Sequence, residues 1–159
     1  MKTTISIILL LLFSSSNSER KILGNYYNYF GCDLKILEDH TFIFNWRFDM
    51  ASSWSKGKWN LNNDTIYFQV IPVHDTLRLP NKKGSLFLSL NQIPELQKDQ
   101  NAVIATVLIS GGQNKYKMPS KLFFKEGKLI EITKSGKLDL KQKKLFWSSE
   151  KKESWYLKE

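Results

Sequence analysis

The chain has 159 residues, of which 42% are hydrophobic and 13% aromatic, and its formal net charge at pH 7 is +9. A chain of this length fits one domain that buries about two-thirds of its unfolded surface, so it has no need of disulfides. Its single cysteine, Cys32, excludes an intramolecular disulfide and is predicted to be a small buried side chain rather than a reactive thiol.

The first segment, MKTTISIILLLLFSSSNSER, has the features of a secretory signal peptide. A lysine precedes an apolar run from Ile5 to Phe13, and residues 16–18 (SNS) supply the small-x-small spacing that signal peptidases cleave. We therefore predict a signal peptide over 1–18, which is too short for a permanent membrane anchor. The mature chain, 19–159, is predicted to be a single β domain that is exported to the periplasm or the extracellular space, with no transmembrane segment.

Strand patterns dominate the first half of the mature chain, and helical periodicity is nearly absent. An aromatic segment after Gly24 is followed by strands predicted at 34–37, 41–48, 54–61 and 65–71. Asn62-Asn63-Asp64 predicts a hairpin turn, because Asn and Asp tolerate left-handed backbone and bond to their own main chain.

The second half is less regular at first and then becomes a meander. Between Pro72 and Asn101 we predict a strand at 86–90 and at most one helical turn, at 92–100; a further strand is predicted at 103–110. The remaining strands are predicted at 122–124, 129–133, 138–140, 145–147 and 154–157. Short strands at intervals of about 8–12 residues are typical of antiparallel barrels and sandwiches. We predict an all-β, antiparallel meander barrel of eight to ten strands, with a two-sheet β-sandwich as the alternative.

Four phrases in the block from 24 to 68 occur in a characteristic order: Gly24-x-Tyr26, LKILEDHTFIF, SKGKWNL and NNDTIYF. This block resembles small exported bacterial proteins with a lipocalin-like domain. The matching positions are Gly24, Tyr26, Leu34 to Phe42, Ser55, Gly57, Trp59 and Asp64 to Ile66. Tyr26 stands where lipocalins favour Trp. The resemblance implies an up-and-down barrel, open at one end, with an apolar interior. It implies no particular ligand, because fold alone does not specify function.

Aromatic residues alternate along the predicted 41–48 strand, and Trp59 lies on a neighbouring strand. In a small barrel such side chains fill the interior, where each stabilises the fold by roughly 2–3 kcal/mol. They can also line a cavity for an apolar ligand or a sugar ring, with the deep ones packing and those near the mouth binding. We predict four cavity or mouth residues: Phe44, Trp46, Trp59 and Tyr67. Tyr67 is included because a phenol both packs and hydrogen-bonds.

Motifs for catalysis and metal binding are absent from the sequence. There is no GxSxG, HExxH, CxxC, P-loop or GxGxxG, and two histidines are too few for a typical zinc site. His40 falls in a predicted turn, and His74-Asp75 is a pair able to move a proton but has no nucleophile spaced to it. We therefore predict no enzyme activity, no cofactor and no metal; an enzyme would need a polar cluster around His74 in a cleft.

The positive charge is concentrated at the C-terminal end. Residues 19–114 hold ten Lys/Arg and nine Asp/Glu, whereas 115–159 hold thirteen Lys and six Asp/Glu. The lysines either form a solvated face that protects sheet edges or attract an anionic envelope surface. Nucleic acid is not favoured, because this region lacks Arg. The leading hypothesis is a non-enzymatic envelope protein that binds a small apolar or amphipathic ligand in its barrel. The alternative is a surface or assembly protein whose basic C-terminal face contacts anionic envelope components or a protein partner.

Overall fold

The computed structural model describes residues 19–109, 111–114 and 118–159, and its main feature is a closed antiparallel barrel of eight strands. Numbered in chain order, the barrel strands are β1 (Gly24–Tyr27), β2 (Cys32–Ile36), β3 (Thr41–Phe48), β4 (Ala51–Asn62), β5 (Thr65–Val70), β9 (Lys121–Lys125), β10 (Lys128–Glu131) and β13 (Tyr156–Lys158). The predicted all-β meander barrel is confirmed, and closure excludes the two-sheet sandwich. The predicted signal peptide, 1–18, lies outside the described residues.

Every barrel strand pairs with the next one along the barrel, and β13 closes the ring by pairing with β10 and β1. Two insertions interrupt this order, residues 71–120 between β5 and β9 and residues 132–155 between β10 and β13. In an up-and-down barrel successive connections alternate between the two ends. Both insertions therefore leave from the end that also carries the β1–β2 loop and the β3–β4 turn, which we call the rim end.

The opposite end is closed by tight turns and by the N-terminal helical turn at 19–22. His40, Asn63 and Asp64 adopt positive φ angles of 59°, 46° and 57°, the left-handed conformation that the predicted turns require. Ile22 is buried in the core, and its carbonyl accepts a hydrogen bond of 2.9 Å from the Tyr26 hydroxyl. This end of the barrel is therefore sealed by the chain itself.

Large side chains fill the barrel interior. Cross-strand register places Leu34, Phe44 and Ser55 side by side across three strands, and Trp59 opposite Phe68. The buried cluster comprises Ile22, Tyr26, Leu34, Ile36, Phe42, Phe44, Trp59, Ile66, Phe68, Met118, Leu122, Leu129 and Tyr156. The side chains of an eight-stranded barrel can fill its interior, and these residues pack together there as one buried cluster. Burial raises the pKa of the Cys32 thiol beside this cluster, which makes that cysteine a poor nucleophile.

The first insertion carries a small sheet and one helix. Strands β6 (His74–Leu77), β7 (Ser85–Leu88) and β8 (Leu96–Gln97) form a sheet in the order β7-β6-β8, and helix α1 (Gln100–Leu108) follows. No helix within the described ranges is long and apolar enough to cross a membrane. Gln113 returns the chain to the barrel, where it bridges Trp54 on the part of β4 that extends beyond β5. The insertion thus extends the barrel wall at the rim end.

The predicted strand at 103–110 is wrong, because residues 100–108 are helical. β-Branched residues in this stretch favour a strand by composition. However, the Asp99 side chain caps the helix by accepting hydrogen bonds from the backbone N–H groups of Asn101 and Ala102, and Val103 packs inward. The helical turn predicted at 92–100 is also wrong in place, since that stretch contains β8 and only the start of α1.

The second insertion carries a hairpin of β11 (Gln142–Lys144) and β12 (Lys151–Glu153). The strand predicted at 145–147 is wrong, because those residues form the hairpin tip. A backbone hydrogen bond from Leu145 N–H to Glu150 C=O closes the tip, and the Ser148 hydroxyl accepts from Glu150 N–H. The strand predicted at 138–140 is reduced to a single bridge between Ile132 and Leu138.

Replacing Gly57 with Ala tests how tightly the barrel wall is packed. A Cβ atom at Gly57 would lie 2.0 Å from the Gln69 carbonyl oxygen of β5. Because that oxygen belongs to the paired strand, Gly57→Ala is expected to lower the free energy of unfolding by about 2 kcal/mol or more, measured by urea unfolding. Gly84→Ala is the control, since its nearest neighbour is a methyl group 3.5 Å away. Equal stability of the two variants would contradict this description of the wall.

Candidate functional site

An aromatic stripe on the inner face of β3 runs from the core to the rim end. Phe42 and Phe44 are fully buried, whereas Trp46 and Phe48 are only partly buried. Trp46 packs against the core cluster and stacks on Phe48, with ring centroids 6.4 Å apart and an interplanar angle of 24°. The stripe predicted from sequence therefore leaves the core at Phe48, where it is available for contacts outside the barrel.

The tip of the β11–β12 hairpin continues this stripe. Phe146 lies edge-on to Phe48, with centroids 4.6 Å apart and planes at 73°, and edge-on to Trp147, at 4.7 Å and 75°. Phe48 and Trp147 are parallel to within 2°, with centroids 6.4 Å apart. Edge-to-face and offset arrangements at these distances are the favourable ones for aromatic rings. The three rings thus form one packed cluster, in which Phe146 lies edge-on to two parallel rings.

These rings border a cleft of about 640 Å³ between the hairpin tip and the barrel rim. Its lining residues are Tyr29, Phe30, Gly31, Arg47, Phe48, Asp49, Lys144, Leu145, Phe146, Trp147 and Ser148. The volume lies within the range of small-molecule sites, and the composition, mostly apolar with a few charged groups, is also typical of them. The cleft is built by three separate parts of the chain: the β1–β2 loop, the β3–β4 turn and the hairpin tip.

The barrel side of the cleft is rigidly held. The Asn28 side-chain oxygen accepts hydrogen bonds from the N–H groups of Phe30 and Cys32, at 2.9 and 3.1 Å. Gly31 has a φ of 79°, and a Cβ there would lie 2.0 Å from the Arg47 carbonyl oxygen. Only glycine allows this close approach, in which Arg47 N–H also donates to Gly31 C=O at 2.8 Å. The loop and the end of β3 therefore form one fixed wall.

The hairpin side is fixed at its base and exposed at its tip. The Lys152 ammonium lies 5.1 Å from the Tyr29 ring centroid, and Lys143 pairs with Asp139 at 3.4 Å. These contacts tie the base of the hairpin to the β1–β2 loop and to its own insertion. By contrast, Phe146 and Trp147 are 69% and 81% exposed, so the cleft has one preformed wall and one wall that projects into solvent.

A second, polar hollow of about 440 Å³ lies beside the cleft, and Arg47 lines both. It is bordered by Trp46, Ser52, Ser53 and residues 90–92 of the first insertion. The Ser53 hydroxyl is buried here without a hydrogen-bond partner among the described residues. An apolar and a polar compartment thus meet at one arginine on the rim.

The four residues predicted from sequence fall in different places. Phe44 is a core residue, 1% exposed, and Trp46 lines the polar hollow at the rim. Trp59 is buried at the opposite end, where its indole N–H donates to Leu37 C=O at 3.0 Å and its ring stacks on His40. Tyr67 points outward from β5 between two inward residues and is 43% exposed. Only Phe44 and Trp46 share a strand, and none of the four lines the aromatic cleft.

Sequence reasoning missed the cleft residues at Tyr29, Phe30, Phe146 and Trp147. The signal that could have found the last two is the phrase KKLFWSSEKK, in which an aromatic pair directly precedes two serines and is enclosed by lysines. Serines favour turns, so this phrase is better explained by an exposed aromatic tip than by a strand.

The polar cluster near His74 is organised around its neighbour, Asp75. Asp75 is fully buried and accepts hydrogen bonds from the Ser89 hydroxyl and from the N–H groups of Leu90 and Glu95, at 2.6, 3.0 and 2.8 Å. Burial alone would raise the pKa of the Asp75 carboxyl, but these hydrogen bonds outweigh it and hold the pKa below its ordinary value. His74 is exposed at the start of β6. The carboxylate is engaged in joining β6 to residues 89–95, which is a structural role.

No group of three or more His, Cys, Asp and Glu side chains within 19–109, 111–114 and 118–159 is arranged to hold a metal ion. Comparisons with protein-family models, with curated proteins and with solved structures find no match for this chain. Membership of a lipocalin-like family therefore stays a prediction. The closed eight-stranded barrel itself is seen in the structure.

Asp75→Asn tests the structural role of this carboxylate. Its lowered pKa stabilises the fold above the unfolded-state pKa, near 3.9, and this contribution is lost as the pH falls below that value. At pH 7 the variant is expected to lose about 1–3 kcal/mol of stability in urea unfolding, with faster hydrogen exchange at the amides of Leu90 and Glu95. The exposed Asp33→Asn is the matched control. Wild-type stability and exchange in Asp75→Asn would contradict this role.

Proposed function

We propose that this protein is a non-enzymatic, exported binding protein that holds a small amphipathic ligand in the aromatic cleft at the rim end of its barrel. The observation that carries the proposal is the cleft formed by Phe48, Phe146 and Trp147, which presents apolar rings around a space of ligand size. Export is supported by the signal-peptide pattern over 1–18. A site at the rim agrees with the barrel interior, whose inward side chains form one buried cluster.

The charges around the cleft favour a ligand with a polar or anionic end. Arg47 and Lys144 border the apolar rings, and Asp49 contributes one opposing charge. Arg47 also faces the polar hollow beside Trp46. An apolar body packed against this ring cluster therefore places its acidic or hydroxyl-bearing end near Arg47, where guanidinium forms charge-assisted hydrogen bonds. The proposed ligand class is a small amphiphile of this kind, such as an aromatic or acyl-chain acid.

A titration with fluorescent amphiphiles tests the proposal. Anilinonaphthalene sulfonate, which is anionic, and phenylnaphthylamine, which is neutral, are expected to bind with one site, the anionic probe more tightly. Phe48→Ala and Trp147→Ala each remove one ring of the cluster that lines the cleft, so each is expected to weaken binding about tenfold or more. Circular dichroism and urea unfolding confirm that each variant is folded.

Two control variants locate the site. Tyr67→Ala removes an exposed aromatic from the outer barrel wall and is expected to leave the dissociation constant unchanged. Phe44→Ala opens space inside the core, so it should lower stability but preserve binding at the rim. If Phe44→Ala abolished binding while Phe48→Ala and Trp147→Ala bound normally, the ligand site would be inside the barrel and the rim proposal would be refuted.

A further inference from the structure

The β11–β12 hairpin has a composition that ligand binding in the cleft does not explain. Residues 141–152 read KQKKLFWSSEKK, five lysines and one acid around an aromatic pair. Phe146 and Trp147 occupy the tip with most of their surface exposed. A cleft wall requires only one face of these rings, so the rest of their apolar surface remains in contact with water. Exposed aromatic surface of this kind marks an interaction site.

Lysines face each other directly across the hairpin. Register pairs Lys143 with Lys152 and Lys144 with Lys151, and like charges opposite one another destabilise a sheet. The first pair is compensated, because Lys143 contacts Asp139 at 3.4 Å and Lys152 contacts Glu150 at 2.6 Å.

The second pair, next to the aromatic tip, lacks such compensation. Among the described residues no carboxylate lies within ion-pair distance of Lys144 or Lys151. Both are exposed. Two uncompensated positive charges therefore stand immediately behind two exposed aromatic rings, an arrangement that an anionic partner with an apolar layer would complement.

Other exposed apolar side chains lie on the connections that leave from the same end of the barrel. Met50 is at the tip of the β3–β4 turn and is 79% exposed. Further exposed apolar residues on the two insertions are Ile71, Leu86, Ile93, Leu96, Ile104, Val107, Leu108, Ile109 and Leu140. The tight turns of the opposite end carry none of the exposed large apolar side chains found among the described residues. The apolar surface available to a partner is thus concentrated in the connections of the rim end.

We propose that the hairpin tip docks on an anionic lipid bilayer. Trp147 and Phe146 enter the interfacial layer, the position that aromatic side chains favour at membrane surfaces. Lys144 and Lys151 contact lipid phosphates, which relieves their mutual repulsion. The aromatic pair favours a bilayer over an acidic polysaccharide or protein. Along the hairpin the apolar rings at the tip are followed by the charged lysines, and a bilayer has its apolar layer beneath its charged phosphates in the matching order. Phe146 and Trp147 also line the cleft, whereas Lys151 lies outside its lining and therefore separates docking from cleft binding.

Vesicle co-sedimentation with the full mature protein tests the docking. We expect binding to phosphatidylcholine vesicles containing about 30% phosphatidylglycerol, much weaker binding to phosphatidylcholine alone, and a steep loss of binding between about 50 and 500 mM salt. Lys144→Ser with Lys151→Ser should weaken binding about tenfold or more. The control is Lys134→Ser with Lys137→Ser, which removes the same charge from another exposed turn of this insertion and should bind like wild type.

Trp147 fluorescence reports insertion directly. The chain has five tryptophans, and Trp147 is exposed whereas Trp54 and Trp59 are buried. On anionic vesicles the emission should shift to shorter wavelength and become protected from an aqueous quencher. Trp147→Phe should remove that signal but retain docking, whereas Phe146→Ser with Trp147→Ser should lose docking about tenfold or more.

Some outcomes would overturn the proposal. One is equal binding of the two lysine double variants. Another is vesicle binding that survives Phe146→Ser with Trp147→Ser. A third is binding to a soluble polyanion such as dextran sulfate as tight as binding to anionic vesicles. Either of these would indicate a purely electrostatic surface. Lys151→Ser leaves every lining residue of the cleft in place, so it should weaken vesicle binding while the amphiphile titration is unchanged. Failure of docking and failure of cleft binding are therefore distinguishable.

Discussion

The interior of an eight-stranded barrel is narrow enough for inward side chains to fill it or to surround one small ligand, and here those side chains pack on one another. Here the inward side chains of all eight strands form one buried cluster, and the N-terminal turn adds Ile22 at the end opposite the rim. The interior therefore stabilises the fold. The aromatic cleft lies outside the barrel, on the segments that leave it.

The chain builds that surface at one end. Tight turns close the opposite end, whereas the rim end carries both long insertions, the β1–β2 loop and the β3–β4 turn. The first insertion is fixed by Gln113 against β4 and by the buried Asp75, and the second by Lys152 against Tyr29. Phe48 connects the barrel core to the cleft, because it is the last residue of the aromatic stripe on β3 and also lines the cleft.

Sequence patterns predicted the barrel well where local and tertiary preferences agree. The strand at Thr41–Phe48 was predicted with the observed bounds, because aromatic residues at every second position specify both the element and its buried face. Alternation does not specify depth, however, so Phe44 in the core could not be separated from Phe48 at the rim. Helix α1 was missed because the Asp99 cap and the packing of Val103 outweigh β-branched composition. The aromatic tip was missed because its exposure depends on how the two hairpin strands pair. The paired positions next to the tip are lysines, so no apolar pattern indicates this pairing in the sequence.

Ligand binding at the rim, as proposed, and ligand binding within the barrel are distinguished by the indole N–H resonances in a nitrogen-15 spectrum. Trp147 is in the cleft, whereas Trp59 is buried at the far end with its indole bonded to Leu37 C=O. On titration with anilinonaphthalene sulfonate, we expect a large shift of the Trp147 indole signal, shifts in the amides of residues 29–31 and 47–49, and an unchanged Trp59 signal. Shifts confined to Trp59 and to the amides of Phe42 and Phe44, with Trp147 unaffected, would contradict it.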